Sequence, residues 1–177
     1  MTGRMALPPV DHVGILVADL GEAMERYQRV LGCRFSVVGR YRSERYEDGS
    51  ADCPHRHDAR FVLSHGPAPR IELLEATGHG THAARHLGVH HLAFTGIPDL
   101  DTEHARVTAA GARVEAQNTD DAGRRLLFFT AAEPWSGTHF ELVSALPGPI
   151  VLDDGTPAPL DPRTGRPSVL AVEGASS

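Results

Sequence analysis

Polar and apolar residues alternate where the pattern first becomes regular. In Asp11-His12-Val13-Gly14-Ile15-Leu16-Val17, Val13, Ile15 and Val17 share one face and His12 takes the other, which is the period of a half-buried β-strand. The period then lengthens: after Asp19, Ala23, Tyr27, Val30 and Leu31 fall on one helical face, and the run stops at Gly32. Asp19 is a natural N-cap, and a glycine can take the left-handed conformation that ends a helix. The same succession returns at His90-His91-Leu92-Ala93-Phe94, followed by Asp99, a helix carrying Ala105 and Val107 to Ala110, and Gly111. Strands are predicted over 34–42 and 59–64 after the first helix, and over 112–117 and 124–130 after the second. The copies also close alike, on Arg70-Ile71-Glu72-Leu73-Leu74 and His139-Phe140-Glu141-Leu142-Val143.

Each copy therefore reads β-α-β-β-β, and a repeat of two implies a paired architecture. The pattern predicts an α+β fold in which two βαβββ modules form a cup-shaped mixed sheet around a metal site. Residues 1–9 form an N-terminal extension, 10–146 the domain (module 1 about 10–78, module 2 about 89–146), and 147–177 a tail rich in Pro, Gly, Asp and Ser. That tail is expected to be loosely ordered. Ile150-Val151-Leu152 and Val169 to Val172 are expected to dock locally, and the remainder to lie over the cup or a neighbouring subunit.

Strand parity puts His12, Glu72, His91 and Glu141 on the face opposite the helices, in equivalent places of the two copies. Two neutral imidazoles and two carboxylates suit one divalent Zn, Ni, Co, Mn or Fe per chain, with water in the remaining positions. His139, two residues before Glu141, is expected on the same face as a substrate contact or proton carrier. His55 and His57 fall in a polar stretch that reads as a solvated loop at the mouth of the cup. Arg40, Arg42, Arg45 and Arg125 read as solvated strand charges, with an anion handle as the rival reading. Trp135, in the turn before the last strand, reads as a packing residue.

Composition narrows the rest. A chain of 177 residues with 41% hydrophobic residues and a net charge of −6 is a globular domain with little attraction for nucleic acid or an anionic membrane. No apolar run is long enough to span a bilayer, and the first ten residues lack the apolar core of an export signal. Cys33 and Cys53 read as free thiols, Cys33 in a strand, and a cytoplasmic location is expected. All 17 basic side chains are arginine, so Schiff-base chemistry through a lysine is excluded.

The stretches DHVGILVADLGEA, IELLEATG, GVHHLAF and GTHFELVS resemble the vicinal-oxygen-chelate superfamily over about residues 10 to 146. That superfamily includes glyoxalase I, methylmalonyl-CoA epimerase, extradiol dioxygenases and fosfomycin- or bleomycin-resistance proteins. The resemblance places the metal ligands on His12, Glu72, His91 and Glu141, and makes His90 a non-ligand whose parity turns it to the other face. The phrase running from Ile71 to His91 looks most like the epimerase. The epimerase's glutamate base on the third strand of the first module has no counterpart in Ala59 to Ser64, where Asp58 is the nearest carboxylate.

The leading expectation is a metal-dependent isomerase, epimerase or lyase. It would act on a small substrate with vicinal oxygens through a metal-stabilised enolate, with Glu72 or Glu141 as base. A second reading is an Fe(II)-dependent extradiol-type dioxygenase using His12, His91 and Glu141. A third is a metal-free binding or resistance protein. Exposed sheet edges make a homodimer an expectation.

Overall fold

The computed structural model describes residues 7–172. Their elements run β1 (His12–Val17), α1 (Leu20–Leu31), β2 (Gly39–Glu47), β3 (His55–Leu63), β4 (Arg70–Glu75), β5 (Gly88–Ile97), α2 (Leu100–Ala109), β6 (Val114–Thr119), β7 (Arg125–Thr130), β8 (His139–Ser144) and β9 (Ile150–Leu152). Each helix begins where its cap dictates. The Asp19 carboxylate accepts from the Glu22 amide and that of Asp99 from the Thr102 amide. Gly32 ends α1 at φ 69°, a left-handed position that a side chain would strain.

The two modules are two halves of one curved sheet. In module 1, β1 lies parallel to β4; in module 2, β5 lies parallel to β8. One seam joins β1 to β5 and the other joins the end of β2 to β6, both antiparallel. With β2 also paired to β3, the order β3-β4-β1-β5-β8-β7-β6-β2 closes into an eight-stranded barrel. Both seams lie within one chain, and closure removes most of the open edges from which a dimer was expected.

The helices lie outside the barrel. Leu20, Ala23, Met24 and Tyr27 of α1 pack on Ile15, Val17, Val62 and Leu73, while Leu100 and Val107 of α2 pack on Phe94, Phe128, Phe140 and Leu142. The opposite parity (His12, Gly14 and Leu16 on β1, Leu127 and Phe129 on β7) is left for the interior.

Five expectations shift. β2 lies at 39–47, later than 34–42, because its far end must reach β6 while its near end pairs with β9. β3 begins at His55, so the stretch read as a solvated loop is strand: His57, Ala59 and Phe61 point inward, and charged Arg56, Asp58 and Arg60 alternate with them. The tail is ordered as far as it is described; β9 pairs with Gly39–Tyr41, and Val169, 2% exposed, packs among Leu16, Ala59, Phe61 and Leu74. Trp135 is 84% exposed and packs on nothing that would bury it. Cys33 follows α1 outside any strand, and both cysteines are free thiols. No described helix is long and apolar enough to cross a membrane.

Candidate metal centre

The barrel interior brings His12 of β1, Glu72 of β4, His91 of β5 and Glu141 of β8 together on four adjacent strands. The Glu72 carboxylate lies 3.6 Å from His12 Nε2 and 3.2 Å from His91 Nε2; that of Glu141 lies 3.4 Å and 3.5 Å from the same atoms. His12, His91 and Glu141 bring one ligand atom each within 4.8 Å of one another, and Glu72 lies as close to both imidazoles as Glu141 does.

Local structure holds each ring in place. Gly14 faces inward between Glu72 and His91 in the strand register, and the His91 ring lies directly over it, in the space a Cβ would need. On β5 the register slips at His90, where one extra residue makes a β-bulge. The bulge overrides the alternation that would have turned His90 to the other face. Its ring is instead 2% exposed, with Nδ1 3.0 Å from His91 Nδ1 and Nε2 3.0 Å from the Thr81 carbonyl.

These contacts assign the tautomers. A carbonyl only accepts, so His90 Nε2–H donates to Thr81. Burial first, and then the neighbouring His91 and His139, depress the His90 pKa to about 3 and keep the ring neutral. Its Nδ1 then accepts from His91 Nδ1–H, which leaves His91 Nε2 as a bare lone pair. His12 Nδ1 donates to Asp11 at 2.9 Å, so Nε2 is the nitrogen it turns toward the carboxylates. Both Nε2 atoms are buried and hydrogen-bond to nothing among the described residues.

Two buried lone pairs facing two carboxylates leave room for a cation. Burial opposes charge on His12, yet Glu72, Asp11 and Glu141 outweigh it and raise its pKa to about 10. Burial works to raise the Glu72 pKa, and His12 and His91 hold it below the usual range. Without an ion, a proton on His12 supplies the missing positive charge. Ligand atoms bound at 2.0–2.2 Å to one ion stand roughly 3.0–3.6 Å apart. The observed N–O separations match that spacing, so the donor set fits a divalent metal.

The site opens into a cavity of about 300 Å³, walled by apolar Phe61, Leu127 and Phe129 and by His57 and His82. His57 stacks on Tyr46 at 4.1 Å, and its burial lowers its pKa to about 4. The inward period of β3 is the signal that could have separated His57 from a solvated loop. His139 does not reach the cavity. It is 2% exposed, bonds the Thr130 carbonyl through Nδ1 at 2.8 Å and stacks on His90 at 4.5 Å, so it supports the ring behind His91. Asp58 points outward to Arg40 and Arg42, and no carboxylate stands on the inner face of β3. Arg45 bonds Thr119, and Arg125 bonds Gln117 and Asp101. The arginines on the cavity wall are Arg70 and Arg166, neither of which the sequence pattern had marked.

The sequence matches the family described as glyoxalase/bleomycin resistance protein/dioxygenase superfamily over residues 11–128. A search of curated proteins returned no match. Among solved structures, a methylmalonyl-CoA epimerase variant from Streptomyces coelicolor in complex with 2-nitronate-propionyl-CoA is 25% identical, with a TM-score of 0.52 over 78% of this chain and 95% of that one. The methylmalonyl-CoA epimerase of Mycobacterium tuberculosis is 27% identical, with a TM-score of 0.52 over 82% and 95%. With two thirds of its length inside the family match and the paired modules in place, the chain belongs to the glyoxalase/bleomycin resistance protein/dioxygenase superfamily.

Proposed function

We propose that this protein is a divalent-metal-dependent isomerase, epimerase or lyase acting on a small substrate that offers two neighbouring oxygens. One observation carries the reading: the unpartnered Nε2 atoms of His12 and His91 face the carboxylates of Glu72 and Glu141 at ligand spacing. A divalent ion held there supplies Lewis acidity, withdrawing charge from a carbonyl and acidifying the adjacent C–H.

The chain's own groups do the rest. Asp11 and His90 fix the two imidazoles, and the apolar wall of Phe61, Leu127 and Phe129 excludes water. Of the carboxylates on the cavity wall, Glu72 and Glu141 alone touch both imidazoles, so one of them takes the proton. The inner face of β3 carries His57 and Ala59 in place of a carboxylate, which disfavours proton transfer between two separate carboxylate bases.

The convergence of His12, His91 and Glu141 within 4.8 Å of one another keeps one rival, oxygen chemistry on a two-histidine, one-carboxylate iron site. Incubation with candidate hydroxy- and keto-acids in D2O separates the two. Proton chemistry exchanges a substrate C–H for deuterium and consumes no oxygen. Stoichiometric oxygen uptake with a catechol, dependent on ferrous iron, would overturn it.

A further inference from the structure

The segment after β8 lies outside the family match, yet it builds one wall of the cavity. It is anchored on both sides of that wall: β9 extends the sheet along β2, and Val169 seats in the core over Gly39, whose missing Cβ makes the space. Between the anchors, antiparallel bridges join Val151 to Pro157 and Leu160 to Pro167. The turn from Asp161 to Arg166 is tied internally, because the Asp161 amide donates to the Arg166 carbonyl at 2.8 Å and the Asp161 carboxylate accepts from the Arg163 amide at 2.8 Å. One carboxylate oxygen of Asp161 is thereby engaged by the turn.

Arg166 projects from this turn onto the cavity wall, half-buried, and among the described residues its guanidinium has no ion pair or hydrogen bond. Asp11 is the carboxylate nearest in charge to it, but Asp11 already accepts from His12 Nδ1 at 2.9 Å and from Arg70 at 3.3 Å. Arg70 is on the same wall, and its Nε is buried without a partner. Arg166 thus presents unpaired donors to the cavity, with a charge that Asp11, already engaged by His12 and Arg70, meets only in part. A single carboxylate complements that charge and those donors.

We propose that residues 147–172 complete the cup as a fixed wall and that Arg166, assisted by Arg70, seats the carboxylate of a small acidic substrate whose other end reaches the four-residue site. This rests on the metal reading above. It makes the substrate a carboxylic acid with a second, oxygen-bearing functional group, compact enough for the cavity.

The test compares ligands that chelate through the same hydroxamate and differ at the far end. Succinic monohydroxamate carries a carboxylate where butyrohydroxamate carries a methyl group, and both are titrated calorimetrically into the cobalt-loaded full chain. Wild type is expected to prefer the carboxylate by about tenfold or more, the scale of a charge-assisted hydrogen bond. In Arg166→Gln the preference collapses, and in Arg166→Lys, which keeps the charge, part of it survives. Equal binding of the two ligands by wild type, or a preference that persists in Arg166→Gln, overturns the inference and leaves the metal reading standing. Tighter binding of the corresponding phosphonate overturns the carboxylate assignment. If butyrohydroxamate itself fails to bind the cobalt-loaded protein, the metal reading falls and the inference falls with it.

Discussion

Replacing Gly14 with alanine attacks the site without touching a ligand. Gly14 has no left-handed backbone, so alanine costs nothing there in φ. The whole penalty comes from the new Cβ, which would occupy the position of the His91 ring. The ring cannot slide aside cheaply, because its Nδ1 is held by His90, which is itself held by Thr81 and stacked on His139. Overpacking of this kind typically costs about 1–3 kcal/mol of folding stability.

A larger effect is expected on metal binding. Disturbing even an outer partner of a metal ligand weakens affinity about 10–100-fold, and displacing the ligand itself costs at least that much. Competition with a chromophoric chelator gives the metal affinity, and urea unfolding of the chelator-treated protein gives the stability. The expected result is a loss of affinity of about 100-fold or more beside a modest loss of stability. Wild-type metal affinity in Gly14→Ala would show that His91 does not lie over Gly14 as a ligand.

Glu72→Gln keeps an oxygen but loses charge and basicity, so metal binding is expected to weaken and turnover to fall by about 10²–10⁴. Near-normal metal content and activity in that variant would instead place Glu72 outside the metal shell and favour the three-ligand rival. His57 gives a pH signature measurable by urea titration. Its folded pKa of about 4 lies below its ordinary value of 6.5, so the unfolded chain takes up the proton first. Stability is therefore full above about pH 6.5 and falls between there and pH 4, by about 1.4 kcal/mol per pH unit for each such imidazole. His57→Gln should flatten that slope by about one proton, and an unchanged slope would refute the assignment.

The four candidate ligand positions were legible because each sits at a fixed parity in a strand whose other face is plainly apolar. Val13, Ile15, Phe140 and Leu142 mark the outside of the barrel and so leave His12 and Glu141 inside. Parity failed where the backbone broke it: the extra residue at His90 turned both rings of the pair inward, and no single-residue pattern announces a bulge. It also failed where inward residues were polar. His55 and His57 occupy core-facing positions of β3, but a count of apolar residues sees only a charged loop. Arg70 and Arg166 were invisible for a different reason. They converge across the fold, from the start of β4 and from a segment outside the repeat, and only tertiary structure brings them to one wall.

Anomalous diffraction from a crystal of the cobalt-loaded protein tests the metal centre most directly. One peak per chain is predicted, bonded to His12 Nε2, His91 Nε2 and a carboxylate oxygen from each of Glu72 and Glu141, at about 2.0–2.2 Å. A peak elsewhere, or a saturated crystal with no peak among these four side chains, would contradict it.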